Sequence, residues 1–212
     1  MALLREVYES LEGIVGPDNI TEEPATLYSY AYQWMAELVT GVTDGRKFFD
    51  RPEAVLMPGS TEEVQTIVKA CNRLNLKFHV FSTGWGPWAA APSKGQILLD
   101  LRRMNRILEI DEQNMFAVVE PYVVAGQLQA EAMKVGLNTH IIGAGASCSP
   151  LASATSFAGA GPDTLFQDSG NGNMLGLEWV MPNGDVMRTG SLGSGLGWFC
   201  GEGPGPGVRS IV

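Results

Sequence analysis

Residues 81–89 read Phe81-Ser82-Thr83-Gly84-Trp85-Gly86-Pro87-Trp88-Ala89, and this stretch decides the fold. It fits the pattern Gly-x-Gly-x-x-Ala at Gly84, Gly86 and Ala89, and it follows a strand-like run, Lys77–Ser82. In a doubly wound dinucleotide fold such a loop opens directly into a helix whose N-terminus faces a pyrophosphate. Here Pro87, Pro92, Ser93 and Gly95 break any such helix. No acidic residue closes a second strand of a βαβ unit about 20 residues on, because Glu109 ends a strand in what reads as a meander. That context argues against a Rossmann fold. Two uses of the loop stay open. It is a tight connection between strands, or Gly84 and Gly86 let the backbone turn its N–H groups onto a phosphate, with Ser82 and Thr83 adding hydroxyl donors.

Working outward, Ser60-Thr61-Glu62-Glu63 forms a capping box. Val64, Ile67, Val68, Cys71 and Leu74 then share one face, which predicts a helix over 61–75. Glu53–Met57 reads as a short strand. Leu4, Val7, Leu11 and Ile14 lie at helical spacing before Gly16-Pro17, which predicts a helix over 2–15. Residues 17–50 read as irregular, with Tyr28, Tyr30, Tyr32 and Trp34 as an alternating packing stripe. Downstream, Gln96–Leu101, Ile107–Asp111 and Met115–Glu120 are strand-like, and Val124–Val135 is a helix closed by Gly136. Met174–Met181 and Val186–Thr189 are strands joined through Pro182-Asn183-Gly184-Asp185, because Asn-Gly accepts the positive φ of a hairpin turn. Helices set among many short strands predict an α+β fold.

Composition narrows the function classes. The 212 residues are 45% hydrophobic and carry a net charge of −9, with no run of Lys or Arg. That excludes the basic patch of a nucleic-acid binder and disfavours an anionic membrane surface. No apolar run reaches the ~20 residues of a membrane span. Cys71, Cys148 and Cys200 form no Cys-x-x-Cys pair and are expected to be buried, reduced thiols. With no signal-peptide layout in MALLREVYES, a cytoplasmic setting is expected. His79 and His140 have no partner cluster, so no metal is expected and both are structural, with His140 near enough to the next loop to be a minor ligand contact.

A second stretch is unusual in composition. Gly143-Ala144-Gly145-Ala146-Ser147 is followed by Ser149-Pro150-Leu151-Ala152-Ser153-Ala154-Thr155-Ser156, within a region, 138–172, of little periodicity. So many small residues suit a loop buried between subdomains, or a surface on which something large and flat lies against the backbone.

With both stretches in place, the chain resembles the FAD-binding domain of the FAD-linked oxidases, the vanillyl-alcohol oxidase and p-cresol methylhydroxylase superfamily. Four blocks carry the resemblance, in the family's order. They are Arg51-Pro52-Glu53-Ala54-Val55 with Pro58-Gly59-Ser60-Thr61-Glu62-Glu63-Val64; Phe81-Ser82-Thr83-Gly84 with Ala90-Ala91-Pro92; Ile97 to Ile107 through Val119-Glu120-Pro121; and Leu177 to Asp185 with Arg188-Thr189-Gly190. The resemblance implies a domain of two α+β subdomains that grip FAD. It implies that Ser82, Thr83, Gly84, Trp85 and Gly86 hold the pyrophosphate, and that Pro150, Leu151, Ala152, Ser153 and Thr155 line the other side of the cofactor. Gly159 and Gly161 match a Gly-x-Gly of the phenol-oxidising members, and Asp168 is the nearest match to their acidic residue beside the flavin, or else a turn residue before Ser169-Gly170. The implied organisation is a lead-in over 1–50, a first subdomain over 51–121 and a second over 122–212, stopping before the substrate cap.

Departures from the family refine the expectation. The berberine-bridge members bond their flavin through a His of the first loop, and residues 80–95 contain none. Trp88 and Ala89 stand where phenol-oxidising members carry a Tyr, which argues against a phenol. The implied function is a flavin-dependent oxidoreductase passing a hydride from a small alcohol, 2-hydroxy acid or aromatic substrate to flavin N5, with an electron-accepting subunit among its partners. The alternatives are a non-redox transferase of the alkyl-dihydroxyacetone-phosphate synthase type and a cofactor-free structural subunit.

Overall fold

A computed structural model describes residues 3–31, 50–84, 92–139, 145–156 and 173–197. The chain divides into two compact units, Met1–Arg103 with Pro182–Gly184, and Met104–Met181 with Asp185–Val212.

The first unit is built on a four-stranded sheet. Helix α1 (Arg5–Val15) buries Leu11 and Val15 and ends at Gly16, whose φ of 84° a side chain would disfavour. Strand β1 (Ile20–Thr21) and helix α2 (Pro24–Ser29) follow. Strand β2 (Val55–Leu56) leads into α3 (Thr61–Leu74), and β3 (Lys77–Phe81) and β4 (Gln96–Asp100) complete the sheet. The strand order is β1-β2-β4-β3, with β1 antiparallel and the other three parallel. The parallel strands therefore end at one edge, where Phe81 pairs in register with Asp100.

Both faces of this sheet are buried, as parallel strands require. Leu56, Ile97 and Leu99 pack with Leu11 and Val15 of α1 and Ile67 and Cys71 of α3. Val55 and Leu98 pack on the other face with Leu27 of α2, Tyr30 and Phe81. Each fully buried Leu or Ile contributes about 1.5–3 kcal/mol by leaving water. The α3 cap is close to the expected capping box. Ser60 Oγ accepts from Glu63 N at 3.2 Å, but the Glu63 carboxylate reaches one residue further out, accepting from Gly59 N at 2.8 Å.

The second unit starts with the hairpin β5 (Ile107–Asp111) and β6 (Phe116–Val119), which carries a bulge between Ile107 and Glu109. Helix α4 (Ala125–Lys134) is followed by Gly136 at φ 77°. Helix α5 (Pro150–Ser156) and the antiparallel pair β7 (Glu178–Val180) and β8 (Val186–Arg188) come next. The 182–184 turn, counted with the first unit, is held on α3: Asn72 Nδ2 donates to Pro182 O at 2.7 Å and Gln65 Nε2 to Gly184 O at 2.8 Å.

Two stretches differ from expectation. Residues 17–31, expected to be irregular, hold β1 and α2. In α2, Pro24 opens the first turn and the Glu23 carboxylate accepts from Thr26 N at 2.7 Å. Of the aromatic stripe, Tyr30 is buried and packs in the core while Tyr28 is exposed; Tyr32 and Trp34 lie outside the described residues. Within 138–172, residues Pro150–Ser156 form a helix rather than a loop. Its start is fixed by Ser149, whose Oγ accepts from Ala152 N at 3.1 Å while donating to Pro121 O at 2.8 Å.

Candidate functional site

The C-terminal edge of the parallel strands carries three segments: Met57–Ser60 after β2, Ser82–Gly84 after β3, and Leu101–Arg103 after β4. Ligands of open parallel sheets sit outside such strand ends. The N-terminus of α3 is already occupied there. Glu63 fills it, and Arg103 Nη1 bonds both Met57 O at 2.7 Å and Glu63 Oε2 at 3.2 Å. Gly59 lets the guanidinium close over this corner, since a Cβ would stand 2.7 Å from Arg103 Nη2 and displace it. The helix end that a Rossmann fold offers to a pyrophosphate is thus closed by the protein's own charges, which leaves the Ser82–Gly84 segment as the donor-bearing part of the edge.

Ser82, Thr83 and Gly84 are each half-buried. Gly84 has φ 74°, and a Cβ on it would lie 2.5 Å from Phe81 Cζ. That ring has little room to retreat, because it packs edge-on against Tyr30, centroids 5.2 Å apart. The residue must therefore be glycine, both for its left-handed backbone and for the ring beneath it. Trp85 and Gly86 lie outside the described residues.

Beside this turn sits a polar cluster that sequence reasoning did not single out. Asp100 is fully buried. Its Oδ1 accepts from Arg102 N at 2.9 Å, and its Oδ2 accepts from the Tyr30 hydroxyl and from Arg102 Nε at 2.9 Å. Arg102 Nη2 stands 2.7 Å from the carboxylate and donates to Tyr30 Oη at 2.6 Å. A buried carboxylate is tolerated only when paired and hydrogen-bonded, and this one is both. Its charge is compensated on the spot, so it does not oppose an anion at the adjoining turn.

In the second unit, Pro150, Leu151, Ala152, Ser153 and Thr155 all lie on α5, half-buried and uncharged. Thr155 Oγ1 is 3.0 Å from Leu151 O and 3.1 Å from Ala152 O, so its proton is directed back onto the helix. Part of the small-residue composition has a packing cause. Gly126 N donates to Ala146 O at 2.8 Å, and a Cβ on Gly126 would meet the Ala146 Cβ at 3.2 Å. Nearby, Glu120 is buried and grips Arg106 through the backbone N at 2.7 Å and Nη2 at 2.6 Å. That carboxylate raises the Arg106 pKa. Gly159, Gly161, Asp168 and His140 lie outside the described residues.

The two stretches, each taken within its own unit, share one chemistry. Residues 82–84 and 150–155 contain backbone N–H groups, hydroxyls and small side chains, and no carboxylate. Among the described residues no group of His, Cys, Asp and Glu could hold a metal ion, and no helix is long and apolar enough to cross a membrane.

Comparison with known proteins agrees with this chemistry. The family described as "FAD binding domain" matches residues 52–190. The 4-cresol dehydrogenase [hydroxylating] flavoprotein subunit of Pseudomonas putida is 30% identical over 197 residues, covering 87% of this chain and 34% of that protein. Glycolate oxidase subunit GlcD of Bacillus subtilis is 26% identical, covering 89% of this chain and 38% of that protein. The structure of 4-ethylphenol oxidase from Gulosibacter chungangensis superposes with a TM-score of 0.79 at 28% identity, over 97% of this chain and 39% of that one. The chain thus spans between a third and two fifths of the length of these proteins.

Proposed function

Because this chain belongs to the FAD-linked oxidases, as an FAD-binding domain of the p-cresol methylhydroxylase type, we propose that it forms the cofactor-holding part of a flavin-dependent oxidoreductase. The observation that carries this is the Ser82–Gly84 turn, left-handed at Gly84 and placed at the C-terminal edge of three parallel strands. In this proposal Ser82, Thr83 and Gly84, continued by Trp85 and Gly86, hold the diphosphate through backbone and hydroxyl donors. Pro150, Leu151, Ala152, Ser153 and Thr155 give the cofactor an uncharged lining, extended by Gly159 and Gly161, with Asp168 as the candidate acidic residue beside the reacting atoms. When bound, the flavin supplies a two-electron acceptor for a substrate C–H bond. The protein's own contribution is to orient that group, keep its diphosphate fixed by donors that need not reorganise, and keep carboxylates away from the diphosphate end.

The substrate proposed is a small alcohol, a 2-hydroxy acid or an aromatic compound. Two relatives favour it, one named for a cresol and one for glycolate. An electron-accepting subunit is the proposed partner, since the cresol-named relative is itself called a flavoprotein subunit. The division into subdomains at 51–121 and 122–212 and a cytoplasmic setting, where Cys71 and Cys148 stay reduced, complete the proposal. The test is spectroscopic. The intact protein, purified under native conditions, should be yellow with one FAD per chain, and anaerobic substrate should bleach it. Colourless folded protein that leaves added FAD unquenched would sink the proposal; yellow protein that no electron donor bleaches would sink the redox part alone.

A further inference from the structure

A continuous line of contacts runs from a buried charge to the Gly84 turn. Asp100 accepts from the Tyr30 hydroxyl, and Arg102 closes the cluster by donating to Tyr30 Oη at 2.6 Å. The Tyr30 ring meets Phe81 edge to face, at 85° between planes. The Phe81 ring lies under Gly84, in the space a Cβ would need. The backbone closes the same circuit, since Leu101 N donates to Phe81 O at 2.9 Å. Every link belongs to the first unit, and Tyr30 reaches it from beyond α2, some seventy positions away from Asp100 in the chain.

We infer that Tyr30 is a positioning residue for the diphosphate turn, tying the Asp100–Arg102 ion pair to the Phe81 ring that sets the backbone of Gly84. A hydrophobic core needs no hydroxyl at residue 30. A phenylalanine would fill the same space against Leu27, Val55 and Leu98. The hydroxyl instead gives Asp100 a donor from outside its own strand end, beside those of Arg102, and holds the ring at the angle that fixes Phe81. Donors aimed at a fixed anion lose little by reorganisation, so holding their backbone in place raises affinity for the anion. The effect is confined to the part of a ligand that the turn touches. This inference rests on the flavin proposal and adds to it the residue that organises the diphosphate end.

The experiment titrates the intact, flavin-stripped protein with FAD and with riboflavin, which has the ring system and no diphosphate. Tyr30→Phe removes the hydrogen bond to the Asp100 carboxylate and the one accepted from Arg102, and should weaken FAD about tenfold, leaving riboflavin within twofold of the parent. Phe81→Leu, which keeps the Tyr30–Asp100 bond, should give the same signature from the other end of the line. A melting curve without flavin accompanies each variant. If FAD affinity is unchanged in both variants while the apoprotein melts lower, Tyr30 serves stability alone and the inference is overturned. Equal losses for FAD and riboflavin also overturn it, since the effect would not be local to the diphosphate. A parent protein that binds neither ligand overturns the flavin proposal as well, so the two failures are distinct.

Discussion

At the scale of single residues, the decisive position is Gly84. Its glycine was legible in the sequence as a loop signal, but its reason was not, because only the fold brings the Phe81 ring beneath it. Gly84→Ala combines a left-handed φ, which costs about 1–2 kcal/mol for a residue with a Cβ, with a contact that neither ring nor turn accommodates freely. We expect a lower melting temperature without flavin and a loss of FAD larger than that of Tyr30→Phe, read by flavin fluorescence. An unchanged FAD titration would show that residues 82–84 do not meet the diphosphate. Cys71 illustrates the opposite kind of residue, one whose fate the sequence did indicate. It is buried in the core of the first unit, and burial pushes its thiol up to about 11. Raised above its unfolded value of 9.0, the neutral thiol favours the folded state below pH 9, and that contribution fades as pH rises from 9 towards 11. Cys71→Ala should therefore flatten the fall of stability across that window, in urea melts at fixed pH. At pH 8 the native thiol should resist a disulfide reagent and react once urea unfolds the chain.

At the scale of elements, what the sequence revealed depended on length and on local caps. Helix α3 announced itself through Ser60 and an apolar face of four turns, and the structure keeps both. Helices α2 and α5 are six and seven residues long, too short for periodicity to show. Their starts were nevertheless written in the chain, as Glu23-Pro24 and Ser149-Pro150, since proline is favoured in the first helical turn and Ser149 is an N-cap residue. The two serine caps separate folding from binding. Ser60→Ala should cost about 1 kcal/mol, the typical worth of a side-chain cap, and leave the FAD dissociation constant where it was. Ser149 is fully buried and also donates to Pro121 O, so Ser149→Ala removes two hydrogen bonds at once. We expect roughly 1–3 kcal/mol of lost stability from that, and weaker FAD binding, because α5 carries five of the residues proposed to line the cofactor. Denaturant unfolding and flavin titration on the same two variants decide it; a Ser149→Ala protein that binds FAD normally would remove α5 from the site.

At the scale of the whole molecule, the sequence yielded the α+β class and the family, because four separated blocks in order carry more information than any single loop. It did not yield Tyr30, Asp100 and Arg102 as a unit, since nothing local links a tyrosine after a six-residue helix to an aspartate at a strand end. The net charge of −9 raises a question the fold answers. An acidic chain should repel an anionic dinucleotide at long range, and the proposed site meets this with short-range backbone and hydroxyl donors at the turn. Salt screens the repulsion within about 10 Å at 0.1 M and leaves buried hydrogen bonds nearly untouched. FAD should therefore associate with the 212-residue chain faster as ionic strength rises from 20 to 300 mM, roughly two- to threefold, with a dissociation rate that hardly moves. Stopped-flow quenching of flavin fluorescence measures both. A site made of lysine and arginine contacts would show the reverse, with association slowing and release quickening as salt is added, and that outcome would mean the diphosphate is held by side-chain cations rather than by the Ser82–Gly84 backbone.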